Sequence, residues 1–310
     1  LLPRKILLES AQALLAPPDT PLEPAPVLPL AEALESLQGA RRGVIEDDAV
    51  YLSRLHVAEV DLGRRLRQRL EQPPRVAPEQ FDDDLGGFEK RAKIVLAPQQ
   101  REAVRAAFRD RVVVITGGPG TGKTTLVRAI VALATRDGRR VGLAAPTGRA
   151  AKRLSEAATL HAKTLHRLLE VEPTSGRFQR DEGNPLELDL LLVDEASMID
   201  LPLAASLTAA LPAQATLILV GDIDQLPSVG PGQVLGDLIA CPHVTVVRLS
   251  HIFRQGGGSR IVEGAHRILR GLLPESATSL DEPGADYFFI STSASIVVRA
   301  PSGSSREMKK

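Results

Sequence analysis

Gly117-Gly-Pro-Gly-Thr-Gly-Lys-Thr124 is the stretch on which the reading of this 310-residue chain turns. It has the spacing Gly-x-x-x-x-Gly-Lys-Thr. An apolar run, residues 112–115, precedes it, and a helix-like run from Lys123 to Ala134 follows. Strand, glycine turn and helix start in that order make a phosphate cradle. The glycines let the main chain bend so that its N–H groups point inward. The helix N-terminus adds partial positive charge. In such a cradle Gly117, Gly118, Pro119, Gly120, Thr121, Gly122, Lys123, Thr124 and Thr125 surround the phosphates. Lys123 reaches the outer ones, and the Thr124 hydroxyl holds a magnesium ion.

Working outward, the runs 112–115, 141–145, 190–193, 216–220 and 244–247 are short, unbroken and rich in Val, Leu and Ile, with helix-like stretches between them. Unbroken apolar runs are strands buried on both faces, as in a parallel sheet covered by helices. The expected fold class is α/β, a parallel sheet with helices on both faces that, with this glycine turn, resembles the P-loop NTPase (RecA-like) fold. Ligands on such sheets bind beyond the carboxyl ends of the strands. The run 190–193 ends in Asp194-Glu195. Asp194 is placed to hold magnesium and Glu195 to orient and polarise an attacking water. That pairing suits hydrolysis, because a kinase would need a substrate hydroxyl instead. Residues 170–189 are polar, lack a period and read as a surface loop or hairpin insert.

Composition sets limits. An apolar fraction of 43% fills a real core, and Lys plus Arg equals Asp plus Glu at 38 each, so an indiscriminate polyanion binder is disfavoured. Local basic clusters (Arg64, Arg65, Arg67, Arg69; Arg149, Lys152, Arg153) read first as solvated helix faces. Cys241 is the single cysteine, which fits a reducing, cytoplasmic setting. No apolar run is long enough to span a membrane.

Residues 1–80 read as a small helical, winged-helix-like module: two short helices, a hairpin about residues 46–49, and a long helix from Ser53 to Gln72 stopped by Pro73-Pro74. Its hairpin turn is acidic (Glu46, Asp47, Asp48), which favours a packing role over DNA contact. Residues 81–91 read as a linker, 92–242 as the first motor domain, 243–290 as the start of an incomplete second one, and 291–310 as a disordered tail. The first residue is Leu, which suggests a fragment.

Further segments make the pattern specific. They are Leu96-Ala-Pro-Gln-Gln-Arg-Glu-Ala-Val104, Ala145-Pro-Thr-Gly-Arg-Ala-Ala-Lys152, Thr164-Leu-His-Arg-Leu-Leu169, Gly221-Asp-Ile-Asp-Gln-Leu-Pro-Ser-Val-Gly230 and Phe253-Arg-Gln255. In this order, and with the two phosphate-site motifs, the series resembles the first motor domain of superfamily 1 DNA helicases. It is most similar to the RecD-like branch, the exodeoxyribonuclease V alpha subunit family. The resemblance covers residues 96–255 and implies an ATP- and Mg²⁺-dependent motor moving 5′ to 3′ on single-stranded DNA, with recombination-complex subunits as further partners.

By resemblance, Gln100 reads the adenine edge, Gln225 senses the γ-phosphate, Asp222 assists near the metal and Arg254 places positive charge on the γ-phosphate. Pro146, Thr147 and Gly148 contact DNA, as do Thr164 and His166, although a histidine on a leucine-rich helix also reads as a packing residue. Aromatics are only 3% of the chain, so DNA binding should rest on phosphate contacts rather than base stacking. The resemblance implies a second RecA-like domain with another arginine. About 55 residues follow Gln255, too few for one. Two readings stay beside the motor enzyme: a nucleotide-dependent DNA-binding fragment or subunit without turnover, and another P-loop ATPase such as a ring-forming loader.

Overall fold

A computed structural model describes residues 2–15, 27–75 and 80–251, together with 264, 267–268 and 271–274. In chain order the elements are β1 Leu2–Pro3, α1 Arg4–Leu15, α2 Val27–Gly39, β2 Gly43–Glu46, β3 Ala49–Leu52, α3 Ser53–Leu70, α4 Phe81–Ala92, α5 Pro98–Arg109, β4 Val112–Gly117, α6 Lys123–Arg136, β5 Val141–Ala145, α7 Gly148–Ala158, β6 Ala162–Thr164, α8 Leu165–Leu168, β7 Leu190–Val193, α9 Leu201–Ala210, β8 Thr216–Gly221, α10 Val234–Ala240 and β9 Thr245–Leu249. A 3-10 turn, Ala196–Met198, links β7 to α9.

Six strands form one parallel sheet in the order β6-β5-β7-β8-β4-β9. The five expected strands are all present, and β6 joins them at one edge. The sheet is buried on both faces, and alternate residues of each strand enter opposite cores. Val113, Ile115, Leu190, Leu192, Ile218 and Val220 pack with α4, α5, α6 and α7. Val112, Val114, Leu191, Val193, Leu217 and Leu219 pack with α3, α8, α9 and α10. Burying both faces is what allows unbroken apolar strands.

Two expectations are corrected. Residues 81–91 are not a linker. They lie in α4, with Phe81, Leu85 and Phe88 buried at helical spacing and Asp82, Asp83 and Asp84 in its first turn, where the helix dipole favours them. Nor does packing divide the chain at residue 80. Leu62 and Leu66 of α3 belong to the same core as β4, β7 and β8. Arg69, only 4% exposed, donates to the carbonyls of Leu211, Pro212, Ala213 and Ala215 beyond α9. Before α3, the two helices and the hairpin form as read, and β1 adds a third antiparallel strand beside β3. In the polar stretch 170–189, Val171 and Phe178 make one antiparallel bridge.

Among the described residues, no helix is long and apolar enough to cross a membrane. Nor do residues 243–290 begin a second domain at residue 243, because β9 pairs with β4 as an edge strand of this same sheet; the rest of that stretch beyond His251 falls almost wholly, and the tail 291–310 wholly, outside the described residues.

Candidate nucleotide and DNA site

Parallel pairing puts every strand's carboxyl end on one side of the sheet. The register joins Thr116 to Gly221, Gly117 to Leu249, Val193 to Leu219 and Ala145 to Thr164. The predicted site residues follow these ends, so residues far apart in sequence share one rim. The phosphate-cradle, carboxylate and Gln225 residues follow the central strands β4, β7 and β8. Pro146, Thr147, Gly148, Thr164 and His166 lie at the β5–β6 edge.

The cradle runs from the end of β4 to the first turn of α6. Gly120 and Gly122 have φ of 81° and 80°, a left-handed backbone that a side chain would strain. Thr121 Oγ1 donates to the Gly118 carbonyl at 2.9 Å and stiffens the bend. Lys123 Nζ donates to the Gly117 carbonyl and, at 3.0 Å, to that of Gly118. The ammonium therefore lies folded over the turn. Thr124 is exposed and Thr125 partly so.

Asp194 and Glu195 end β7. The Asp194 carboxyl is pushed above the usual carboxylate range by burial. The Glu195 N–H, donating to Oδ1 at 3.0 Å, opposes that rise, as does the nearby Lys123 charge, while the Glu195 carboxylate adds to it. Glu195 sits at φ 54°, a left-handed conformation that is costly for a glutamate.

The residues fit magnesium. The partly buried Asp194 carboxylate after β7 and the exposed Thr124 hydroxyl in the first turn of α6 are hard oxygen donors on the same rim, and magnesium takes few protein ligands when phosphates supply the rest. Among the described residues there is no cluster of three or more His, Cys, Asp or Glu that could hold a metal by itself.

Gln100 is placed unlike an open adenine reader. It is 3% exposed; its Oε1 accepts from the Ala97 N–H at 3.0 Å, and its Nε2 donates to the Thr121 carbonyl at 3.3 Å. It holds the start of α5 and the cradle together, leaving one Oε1 lone pair and a weak 3.5 Å contact to the Gly122 carbonyl for exchange. Asp222 is 3% exposed and spends its carboxylate on the Asp224 N–H (3.1 Å) and on Gln225 Nε2 (3.2 Å). It orients Gln225 and the loop. Arg254 lies outside the described residues.

At the β5–β6 edge, Thr147 caps α7, its Oγ1 accepting from the Ala150 N–H at 3.2 Å. Thr164 caps α8 in the same way, accepting from the Arg167 N–H at 3.3 Å. His166 is exposed and its ring stands 5.7 Å from that of Phe178. Sequence reasoning missed Glu89. Its carboxylate accepts from the Leu96 N–H at 2.8 Å and pairs with Arg101, pinning the loop that enters α5. Nothing in its local sequence marks it.

A family model described as an AAA domain matches residues 100–231. The chain is 38% identical over 245 residues to the ATP-dependent RecD2 DNA helicase of Deinococcus radiodurans, covering 79% of this chain and 33% of that protein. It is 42% identical over 188 residues to the RecBCD enzyme subunit RecD of Mycolicibacterium smegmatis, covering 52% of this chain and 34% of that one. The crystal structure of Pif1 helicase from Candida albicans aligns with 59% of this chain and 46% of its own, at 24% identity and a TM-score of 0.45. The chain spans about a third of the length of the RecD relatives. With this series of motifs on one rim, the chain is similar in sequence to the RecD-like DNA helicases, over 79% of its own length and a third of theirs for the Deinococcus radiodurans protein.

Proposed function

We propose that this chain provides the nucleotide-hydrolysing domain of an ATP-dependent DNA helicase that moves 5′ to 3′ on single-stranded DNA. The observation that carries the reading is that Asp194 and Glu195 follow β7 on the same rim of the sheet as the glycine turn and Lys123 that follow β4. Lys123 holds the outer phosphates, Thr124 and Asp194 hold magnesium, and Glu195 accepts a proton from the attacking water. Bound there, magnesium would neutralise charge on the β- and γ-phosphates. Gln225, oriented by Asp222, is the group that follows the γ-phosphate, and Arg254 is the cation that approaches it.

DNA phosphates are held at the β5–β6 edge by the free N–H groups at the start of α7, by Thr147 and by Thr164, with His166 alongside. Subunits of a recombination complex are further partners in this reading, as the name of the M. smegmatis relative suggests.

Hydrolysis of ATP by the purified chain, with and without single-stranded DNA, tests the proposal. DNA-stimulated turnover supports the motor reading. Tight nucleotide-dependent DNA binding with no turnover would favour a binding subunit. Ring-shaped assemblies would favour a loader-type ATPase.

A further inference from the structure

The first turn of α5 grips two parts of the molecule with adjacent residues. Gln100 holds the cradle through the Thr121 carbonyl. Gln99, one residue earlier, points to the end of β9. Its Oε1 accepts from the Ser250 N–H at 3.0 Å, and Ser250 Oγ lies 3.0 Å from its Nε2 and 3.1 Å from its Oε1. A carboxamide meeting one residue's main chain and hydroxyl together is a two-point grip, more directional than a single exposed hydrogen bond.

The turn that carries both glutamines is itself fixed, because buried Glu89 holds the Leu96 N–H and Arg101 on either side of it. The two gripped parts also touch. Gly117 pairs with Leu249, and a Cβ on Gly117 would stand 2.8 Å from the Leu249 carbonyl oxygen. A shift of the cradle on filling therefore has little slack before it reaches Leu249. Ser250 is where the chain leaves the sheet, four residues before Arg254.

We propose that Gln99 is a positioning residue that ties the chain leaving β9 to the nucleotide cradle, so that filling the cradle is felt at Ser250 and beyond. This rests on the nucleotide reading of the cradle and adds to it a route by which occupancy sets the direction of the exit. The grip is exposed, so it contributes little to stability. Its role is to transmit a small displacement.

Hydrogen exchange at the Ser250 and His251 amides of the 310-residue chain, with and without ADP·Mg, tests it, alongside nucleotide affinity by calorimetry. In the wild type, nucleotide should change exchange at these amides. Gln99→Ala should shrink that nucleotide-induced change about five- to tenfold, the scale of one lost hydrogen bond, while affinity stays within about twofold. Gln99→Glu, whose carboxylate still accepts from the Ser250 N–H and hydroxyl, should restore most of the change. A purely structural contact would alter basal exchange and leave the nucleotide-induced difference intact. That result, or a failure of Gln99→Glu to rescue, overturns the proposal. So does a wild type that binds nucleotide with no response at Ser250. A wild type that binds no nucleotide overturns the cradle reading, and this inference with it.

Discussion

The main-chain N–H of Glu195 donates to Asp194 Oδ1 at 3.0 Å while Glu195 itself occupies left-handed backbone at φ 54°. The two acidic residues are thus arranged differently: the carboxylate of one is tied to its neighbour's amide, and the other sits in left-handed backbone where the strand has ended. Left-handed backbone costs a non-glycine residue roughly 1–2 kcal/mol. Glu195→Gly should raise the thermal unfolding midpoint of the nucleotide-free chain, a gain of about 1 kcal/mol after glycine's own entropy cost. DNA-stimulated hydrolysis should fall about 10²–10⁴-fold with the loss of the general base. Calorimetric scans and single-turnover hydrolysis check both halves.

Asp194 gives a second trade between stability and function. Its carboxylate is partly buried and accepts from the Glu195 N–H, and burial of the ionised form works against folding. Asp194→Asn should stabilise the nucleotide-free chain by about 1 kcal/mol and remove the magnesium dependence of nucleotide affinity. Chemical denaturation without nucleotide, and nucleotide titrations with and without magnesium, measure the two effects.

Far from the site, Arg69 faces main-chain carbonyls and, among the described residues, pairs with no carboxylate. Burial, with Arg65 and Arg111 nearby, brings its guanidinium down to about 10, so it stays charged at neutral pH. Replacing a buried ion pair by apolar groups can be neutral, but here the partners are main-chain carbonyls of residues 211–215, which would be left without that donor. Arg69→Met should destabilise the chain by about 2–4 kcal/mol in urea denaturation and leave nucleotide affinity unchanged.

Asp189, just before β7, receives hydrogen bonds from the Arg140 side chain (3.0 and 3.1 Å) and its N–H (2.9 Å). These bring its carboxyl down to about 2. A carboxylate with a lowered folded-state value contributes stability above its ordinary value and loses it as pH falls towards the lowered one. Its side chain is 37% exposed, so solvent screening holds the contribution below about 1 kcal/mol. The stability difference between wild type and Asp189→Asn should be greatest above about pH 5 and should narrow between about pH 4 and pH 2. Urea midpoints across that range read it directly.

The central sheet is legible in the sequence because strands buried on both faces leave unbroken runs of Val, Leu and Ile, and the site is legible because its residues follow those runs. Edge strand β6 carries no such signal. Its three residues are Ala162, Lys163 and Thr164, with Lys163 exposed. Helix α4 is masked by three aspartates and the pair Gly86-Gly87, which resemble a linker, although Phe81, Leu85 and Phe88 mark its buried stripe. Arg69 looks like its neighbours Arg64, Arg65 and Arg67 in the sequence, and only tertiary packing sets it apart. The engagement of Gln100 and Asp222 within the chain depends on contacts that spacing does not encode.

Binding of a non-hydrolysable ATP analogue with magnesium, followed by isothermal calorimetry on the wild type and on Lys123→Ala, tests the central claim most directly. Lys123 Nζ rests on the Gly117 and Gly118 carbonyls, poised to move to a phosphate. The wild type should bind one equivalent, and Lys123→Ala should weaken binding about a hundredfold, the cost of removing one partner of a buried charge pair. Equal affinity in the two proteins, or no binding by the wild type, would contradict the assignment of residues 117–124 as the phosphate cradle.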